Sequence, residues 1–446
     1  MTESWHGYRG LARDLLISAG VDVGDEVEVV KPDGEVYRGY LMSRYEHAEE
    51  GYIVLKLRNG YNIGIAITKD TIVKRLGLGP RPAFRRPEPP HLDPSLPRVS
   101  IVSTGGTIAS RIDYRTGAVK PALTSEDLIT LVPEIAEIAY VEAEVLLSKF
   151  SENMTPSDWD VIARKMDEKI RNGYSGVVVS HGTDTMHYTA AALSFALAGT
   201  PIPIVLVGAQ RSSDRPSSDA AVNLVAAVRV AAHAPFGEVV IAMHDWHSDD
   251  VIAVHRGTRV VKMHTSSRDA FKSVNARPIA YVRDGEIILN DQTVNRRGSD
   301  GYSFRPGFSD KAALIKFYPS LGPGIIDYFL ERGARGIIIE GTGLGHVSSE
   351  WISALRRATS MGVFVGMSSQ CRYGRVNMYV YENGRDIMKA GVTPLEDMLS
   401  ETALVKLMWV LARASDLEEV RNYMLTPIAG EMSPRTLPTR MRPDAA

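Results

Sequence analysis

The sequence has little of several features that mark common protein classes. It contains a single cysteine, Cys371, which excludes internal disulfides and cysteine-cluster metal sites and is typical of a reducing compartment. The formal net charge is −2, so the chain has no overall basic surplus for binding nucleic acid. The first 20 residues lack an apolar core of signal-peptide length. An uncharged stretch at residues 190–209 is broken by GTPIP into a helix and a buried strand. We therefore expect a soluble cytoplasmic protein that contacts no membrane.

The chain does contain ample material for folded domains. Hydrophobic residues make up 44% of it and charged residues 23%, which is ordinary for a globular protein. The length of 446 residues suggests about three domains. The clearest boundary lies at residues 80–97, which hold seven of the 24 prolines. Because proline fixes φ and removes a backbone donor, we expect an extended, semi-rigid linker there.

Residues 1–79, before the linker, have the pattern of a small separate domain. An amphipathic helix closed by Gly20 is followed by five short strand-like segments between residues 24 and 76. Turn sequences such as PDG and RNG separate them, and this spacing predicts a small β-barrel. Small barrels often bind RNA, but residues 1–76 carry ten Lys and Arg against twelve Asp and Glu. We therefore favour a protein-docking or spacer role.

After the linker, apolar strand candidates alternate with helical patterns. GVVVSHG and IPIVLVGA are apolar on both faces, and SSDAAVNLVAAVRVAAHA has helical spacing. This alternation is typical of an α/β unit with a largely parallel sheet. We assign residues 98–290 to a larger α/β domain, residues 291–333 to an interdomain connection, and residues 334–446 to a smaller C-terminal α/β domain and tail.

Two segments of the larger domain share one pattern: a strand, a glycine turn, and a threonine at the start of a predicted helix. They are RVSIVSTGGTIAS, residues 98–110, and GVVVSHGTDTMHYTA, residues 176–190. In open parallel sheets ligands bind outside the carboxyl ends of the strands, so both segments should deliver hydroxyl groups to one crevice. Free N–H groups at a helix start can hold an anion or an oxyanion. Taken alone, either segment is more often a turn with a threonine cap.

Other chemistries fit these segments less well. The first lacks the Gly-Lys-Ser/Thr ending of the P-loop and the G-x-G-x-x-G order of a dinucleotide turn. In the second, His181, Asp184 and His187 could be metal ligands, but no H-E-x-x-H spacing exists, and HDWHSDD at residues 244–250 is equally unspecific. The G-x-S-x-G elbow of a serine hydrolase is absent. We expect no metal site in this chain.

A third segment, RVVKMHTSS, places Lys262 at the end of another apolar run. Threonine is a poor nucleophile without a base. A partly desolvated lysine beside an aspartate can supply that base, because its pKa is tunable. A single lysine after a strand is usually a surface residue, so the hypothesis of a threonine-based site depends on all three segments together.

These segments carry a family resemblance. TGGTIAS, residues 104–110, and HGTDTM, residues 181–186, resemble the two signatures of the bacterial-type L-asparaginase family, and the sequence around Lys262 resembles the family's catalytic-lysine segment. The resemblance covers residues 98–424 and implies a two-domain asparaginase-like core with a parallel sheet. It implies that Thr107 is the nucleophile, assisted by Tyr114 over the substrate. Thr183, Asp184 and Lys262 would form the second catalytic group.

The same resemblance implies how substrate binds and reacts. Ser151 and Glu152, in FSENMTPSDW, would hold the α-carboxylate and α-amino groups together with Asp184. The family also takes an acidic residue from a neighbouring subunit, for which Glu382 is the candidate by position. Thr107 would attack the side-chain amide while backbone N–H groups stabilise the oxyanion, ammonia would leave, and water would release aspartate or glutamate.

An ordinary asparaginase does not need residues 1–97. A barrel and a rigid linker before an asparaginase-like core resemble the GatD family, whose members are subunits of archaeal glutamyl-tRNA(Gln) amidotransferases. This resemblance implies a glutaminase that forms a homodimer within a larger heterotetrameric complex and has no cofactor of its own. A GatE partner subunit would use ATP, Mg²⁺ and the released ammonia to convert Glu-tRNA(Gln) to Gln-tRNA(Gln), and would carry most of the tRNA contact.

Two alternatives stay open. One is a free-standing asparaginase or glutaminase with a fused barrel, since the residues do not decide between glutamine and asparagine. The other is a degenerate amide-binding scaffold without activity. The joint presence of Thr107, Thr183, Asp184 and Lys262 argues against this second alternative.

Overall fold

The computed structural model describes residues 5–44, 49–58, 61–79, 92–106, 110–112, 119–121, 132–211, 217–291 and 293–436. Its contacts divide the chain into two compact units, residues 1–88 with 111–120, and residues 89–110 with 121–446. None of the helices in the described ranges is long and apolar enough to cross a membrane.

The first unit is built on a five-stranded antiparallel sheet with the order β4-β3-β2-β1-β5. One side of the sheet packs on the N-terminal helix, where Leu16 meets Val27, Leu41 and Ile53 in a buried core. All five strands lie where the sequence predicts them. Within the described residues no ladder joins β4 to β5, so closure of the sheet into the predicted small barrel stays a prediction. The elements are α1 (Gly10–Ser18), β1 (Glu26–Val30), β2 (Val36–Leu41), β3 (Tyr52–Lys56), β4 (Asn62–Ala66) and β5 (Ile72–Gly77).

The larger domain of the second unit is an α/β layer structure, as the sequence predicts. Several strands are buried along their whole length because helices cover both faces of the sheet. Strands β7 (Ser110–Ile112) and β8 (Val119–Pro121) pair with each other, and most of their residues belong to the first unit. The elements of the larger domain are β6 (Arg98–Ser103), β9 (Tyr140–Val145), α2 (Pro156–Arg171), β10 (Gly176–Ser180), α3 (Met186–Ala196), β11 (Leu197–Ala198), β12 (Ile204–Val207), α4 (Ala220–His233), β13 (Val239–His244), β14 (Val251–Arg256), β15 (Val260–Lys262), β16 (Phe271–Ser273), β17 (Ala280–Arg283), β18 (Glu286–Leu289) and β19 (Ser303–Phe304).

An eight-stranded sheet with the order β18-β17-β14-β13-β12-β10-β6-β9 forms the centre of this domain. The strands from β9 to β13 are parallel, and β14, β17 and β18 continue the sheet in antiparallel fashion. Strands β15 and β16 form a separate two-stranded antiparallel ribbon.

The smaller domain contains a four-stranded parallel sheet with the order β20-β21-β22-β23. The structure places β20 and α5 in this domain, although they fall inside residues 291–333, where the sequence shows only a mixed pattern. Strand β20 is short and alternates in burial, which explains its weak signal. The elements are β20 (Ala312–Lys316), α5 (Gly324–Glu331), β21 (Gly336–Gly341), α6 (Ile352–Ser360), β22 (Phe364–Ser369), α7 (Glu382–Lys389), β23 (Thr393–Pro394), α8 (Ser400–Leu411) and α9 (Leu417–Leu425).

Candidate active site

The two glycine elbows lie side by side. Strands β6 and β10 are parallel neighbours, with Ser103 opposite Ser180 at their carboxyl ends. One residue further on, the Thr104 backbone N–H and hydroxyl both donate to the Ser180 carbonyl, at 3.0 and 2.9 Å. The expectation that both elbows open at one edge of the sheet is therefore confirmed.

The elbows approach so closely that the first must contain glycine. Gly106 has φ of +84°, and a Cβ on it would lie 2.7 Å from the Gly182 nitrogen. Gly105 has φ of +123°, and its Cβ would lie 2.1 Å from the Lys149 carbonyl oxygen. A side chain at either position would combine backbone strain with a backbone clash. The turn that leads into Thr107 is thus packed directly against the turn that carries Thr183.

Lys262 joins the second elbow to the short ribbon. Its Nζ donates to the Thr183 hydroxyl at 2.9 Å and to Asp184 Oδ1 at 2.6 Å. The lysine side chain is only 9% exposed, whereas the Asp184 side chain is 68% exposed. The ammonium group is thus held under the threonine hydroxyl, with the carboxylate open to solvent on the other side. Residues that lie 79 positions apart in the chain meet here as a three-residue cluster.

Ser151 lies next to this cluster on a short 3-10 helix, Ser151–Asn153. Its carbonyl accepts a hydrogen bond from the Thr185 hydroxyl at 2.6 Å. A Cβ on Gly182 would lie 2.9 Å from both the Cβ and the Oγ of Ser151, so that glycine also permits a close approach. Glu152 follows Ser151 and is exposed. Ser151, Glu152, Thr183, Asp184 and Lys262 are therefore gathered at one sheet edge, as the sequence predicts.

His181 belongs to the support of this site. Trp159 Nε1 donates to the Thr189 hydroxyl at 3.1 Å, which lies 2.9 Å from His181 Nε2, and His181 Nδ1 lies 2.7 Å from the Gly182 carbonyl oxygen. Because a carbonyl only accepts, Nδ1 carries the proton, and Thr189 donates to Nε2. Burial lowers the pKa of His181 to about 4, which keeps this ring neutral near pH 7. This series of hydrogen bonds fixes the Gly182 carbonyl and hence the turn before Thr183.

His187 is buried in the first turn of α3. Burial lowers its pKa to about 4, against the opposing charge of Glu401. Glu401 is itself buried, yet its pKa is lowered, because its salt bridge with Arg372 outweighs the cost of burying its charge. In the part of the chain that the structure describes, His, Cys, Asp and Glu form no group of three or more that could hold a metal ion.

Two of the residues predicted for the site, Thr107 and Tyr114, lie outside the described residues. Glu382 is the first residue of α7 and is exposed. Thr185 and Gly208 also belong to the site, although the sequence pattern does not predict this role for either residue. A Cβ on Gly208 would lie 2.7 Å from Thr183 Cγ2, so this glycine makes room behind the threonine. The GA pair after the strand IPIVLV is a signal for such a turn, but it does not name its neighbour.

Comparison with known protein families divides the chain in the same way. The family model described as "Asparaginase, N-terminal" matches residues 98–295, and "Glutaminase/Asparaginase C-terminal domain" matches residues 311–424. The "GatD N-terminal domain" matches residues 21–74.

Relatives match over nearly the full length. The GatD subunit of glutamyl-tRNA(Gln) amidotransferase from Metallosphaera sedula is 52% identical over 433 residues, covering 96% of this chain and 97% of the relative. The corresponding protein of Pyrococcus horikoshii is 50% identical over 433 residues, covering 95% of this chain and 98% of the relative. This chain belongs to the GatD family. Its members are subunits of glutamyl-tRNA(Gln) amidotransferase that contain an asparaginase-like region.

Solved structures show the same fold for the catalytic unit. The thermostable L-asparaginase from Thermococcus kodakarensis is 35% identical, with a TM-score of 0.69, and covers 75% of this chain and 99% of its own. L-asparaginase I from Vibrio cholerae is 30% identical, with a TM-score of 0.67, and covers 76% of this chain and 100% of its own. This chain therefore carries a GatD N-terminal domain before a region with the fold of L-asparaginases.

Proposed function

We propose that this chain is the glutaminase subunit of a tRNA-dependent amidotransferase. It hydrolyses L-glutamine, with L-asparagine as a competing substrate, and supplies ammonia to a GatE-type partner subunit. The partner uses ATP and Mg²⁺ to convert Glu-tRNA(Gln) to Gln-tRNA(Gln) and holds most of the tRNA. The observation that carries the proposal is the Lys262–Thr183–Asp184 cluster at the junction of the two elbows. This cluster lies in a chain that matches a GatD subunit over nearly the whole length of both proteins.

The first half of the reaction forms an ester. Thr107 is the proposed nucleophile: its hydroxyl oxygen attacks the carboxamide carbon of glutamine, with Tyr114 assisting. In the reactive form Lys262 is the neutral amine: through the Thr183 hydroxyl it accepts the Thr107 hydroxyl proton, and the resulting ammonium returns a proton to the leaving nitrogen. Backbone N–H groups of the elbows stabilise the oxyanion. The C–N bond breaks and ammonia leaves, so a γ-glutamyl ester on Thr107 remains.

The second half uses water. The same Thr183–Lys262 pair removes a proton from the water molecule that attacks the ester, and the Thr107 oxygen takes a proton as glutamate leaves. Ser151, Glu152 and Asp184 hold the α-carboxylate and α-amino groups throughout. Asp184 is suited to an ammonium group because its carboxylate is mostly exposed, with one oxygen on Lys262.

The active-site assignment can be tested by two lysine variants. Lys262→Met should lower kcat for glutamine by about 10²- to 10⁴-fold, the usual contribution of a general acid–base group. Lys272→Met is the matched control, because Lys272 lies opposite Val261 on β16 and pairs with Asp269. Mass spectrometry of quenched reactions should show the γ-glutamyl adduct on the peptide containing Thr107. Full activity of Lys262→Met, or an adduct on another residue, would contradict the assignment.

The coupling to tRNA needs a separate experiment. We expect weak glutaminase activity from the chain alone and strong stimulation by the GatE-type partner with Glu-tRNA(Gln) and ATP. The likeness to free L-asparaginases favours one other candidate, a free-standing asparaginase or glutaminase. High turnover of asparagine or glutamine by the isolated chain, unchanged by the partner, would support that candidate instead.

A further inference from the structure

The strand that carries Lys262 has little backbone support. Strand β15 has three residues, and within the described residues it is hydrogen-bonded only to β16, outside the eight-stranded sheet. An isolated two-stranded ribbon is at best marginally stable in water. The position of the Lys262 ammonium group therefore depends on how the side chains of this ribbon are held.

Alternate residues of β15 face different domains, as the two-residue period of a strand requires. Val260 packs with Phe271 in a core of the larger domain, and Lys262, on the same side, reaches Thr183. Val261 points the other way and packs against Leu399 of the smaller domain. The ribbon is thus held between the active site on one side and the smaller domain on the other.

Arg259 stands at the start of this strand, on the side of Val261. Its side chain is only 1% exposed and forms a salt bridge of 3.2 Å with Asp397, which is also 1% exposed. Its Nε donates to the Gly430 carbonyl at 2.9 Å, and Nη2 donates to the Ser433 hydroxyl at 2.7 Å. One guanidinium group therefore joins the ribbon to two separate segments of the smaller domain.

The segments that Arg259 contacts are themselves fixed. Asp397 Oδ1 accepts a hydrogen bond from the Ser433 backbone N–H at 2.9 Å, which links the two segments. The preceding residue, Thr258, donates from its hydroxyl to the Ala429 carbonyl at 2.8 Å. The Thr258 carbonyl accepts from the Thr402 hydroxyl at 3.0 Å. The start of β15 is therefore held by a polar network with two segments of the smaller domain, residues 397–402 before and in α8 and residues 429–433 after α9.

We propose that Arg259 is a positioning residue for the reaction: by anchoring β15 to Asp397 and to residues 430–433, it sets the position of Lys262 against Thr183. This inference rests on the proposed function, because it acts through Lys262. The smaller domain then contributes to catalysis within its own subunit without touching the substrate.

The experiment uses the complete complex with the GatE-type partner and measures kcat and KM for glutamine. The paired variant Arg259→Gln/Asp397→Asn removes both charges together, since removing one would leave the other buried and unpaired. We expect kcat to fall about 10²-fold, the effect of misplacing a catalytic group by about 1 Å, with KM little changed. The single variant Arg259→Lys, with Asp397 unchanged, keeps both charges of the ion pair and should keep most of the wild-type kcat.

A double-mutant cycle separates positioning from general destabilisation. In a Lys262→Met background, the paired variant should change kcat by less than about twofold, because the group it positions is gone. A structural role would lower kcat by the same factor in both backgrounds, and that result would overturn the proposal. So would a folded paired variant with wild-type kcat. If the paired variant does not fold, Ser433→Ala, which removes the hydrogen bond from Arg259 Nη2, is compared in the two backgrounds by the same criterion.

The matched control is an ion pair in another part of the larger domain. Lys169 on α2 and Glu144 on β9 are 2.6 Å apart, with side chains 11% and 35% exposed. Lys169→Met/Glu144→Gln should lower the melting temperature without lowering kcat of the folded enzyme. If Lys262→Met itself keeps full activity, the proposed function fails. If Lys262→Met is inactive but the paired variant is not, only the present inference fails.

Discussion

At the residue scale, backbone atoms rather than side chains bring the two elbows together. Gly106 lies against the Gly182 amide, and Gly208 lies behind Thr183. These contacts leave no space for a methyl group, so the distance between the Thr107 and Thr183 turns is set by the absence of side chains. The glycines act on the reaction through geometry alone.

Gly106→Ala should therefore inactivate the enzyme while Gly173→Ala does not. The new Cβ at residue 106 would lie 2.7 Å from the Gly182 nitrogen at φ of +84°, and we expect kcat to fall about 10²-fold. Gly173, after α2, also has positive φ, +72°, but a Cβ there meets nothing within 4 Å. That control should cost about 1 kcal/mol of stability and no activity. Equal kcat values for the two variants in a glutaminase assay would contradict this account.

Buried neutral histidines should make the protein acid-sensitive. Burial lowers the pKa of His181 and His187 to about 4 and of His255 to about 3. The unfolded chain binds protons from about pH 6.5 downwards, before the folded chain does. The free energy of unfolding should therefore fall as the pH drops below about 6.5, by about 1.4 kcal/mol per pH unit for each histidine. This decline ends near pH 4 for His181 and His187 and near pH 3 for His255.

Urea unfolding at a series of pH values across this range, monitored by tryptophan fluorescence, measures this free energy. His255→Gln should flatten the decline below pH 6.5 and leave the slope between pH 7 and pH 8 as it was. An unchanged slope below pH 6.5 would show that His255 is not held neutral in the folded protein.

At the scale of elements, a fully buried ion pair holds α8 to the segment after α9. Lys406 Nζ lies 2.5 Å from Glu431 Oε1, and both side chains are fully buried. The lysine also donates to the carbonyls of Met424 and Thr426. Glu431 in turn accepts from the backbone N–H groups of residues 428 and 429. The pair therefore shapes the same C-terminal segment that contacts Arg259.

Glu431→Gln should destabilise the chain by about 3–5 kcal/mol, because it leaves the lysine charge buried without a counter-charge. Lys406→Met/Glu431→Gln should recover much of that loss. The exposed pair of Lys389 and Asp386, 2.9 Å apart, provides the control, and Lys389→Met should cost less than about 1 kcal/mol. Thermal unfolding of the three variants measures this order, and a mild Glu431→Gln variant would contradict it.

Local patterns predict the elements of the site better than its long-range contacts. The glycine turns, the apolar strands β6 and β10 and the lysine at the end of β15 all follow from short segments of sequence. Neighbouring strands then bring the elbows together. The contact of Arg259 with Gly430 joins residues 171 positions apart, and no local period indicates it. The start of the smaller domain is also missed, because β20 is short and only partly buried.

At the scale of the whole molecule, residues 1–79 differ from the asparaginase-like region in composition and in the family model that they match. This N-terminal region has a sheet with its own core, and L-asparaginases that match the rest of the chain cover nearly their full length without it. Its charge is nearly balanced, which favours protein contact over phosphate contact. We therefore expect it to serve the amidotransferase rather than the hydrolysis step.

Deletion of residues 1–91 should leave glutamine hydrolysis by the isolated chain within about twofold of the full-length value, since no residue of the proposed catalytic group is removed. Stimulation by the GatE-type partner with Glu-tRNA(Gln) should be lost. Glutaminase assays with and without the partner measure both quantities. Stimulation that survives the deletion would show that the catalytic unit alone docks the partner.

The alternation along β15 also limits how this protein can evolve. Val260 and Val261 can each be replaced by another apolar residue with modest cost, because their faces are preserved. An insertion or deletion of one residue between Arg259 and Lys262 would turn the lysine towards the smaller domain and a neighbour towards Thr183. We therefore expect active relatives to keep the same number of residues between the equivalents of Arg259 and Lys262, even where those residues differ.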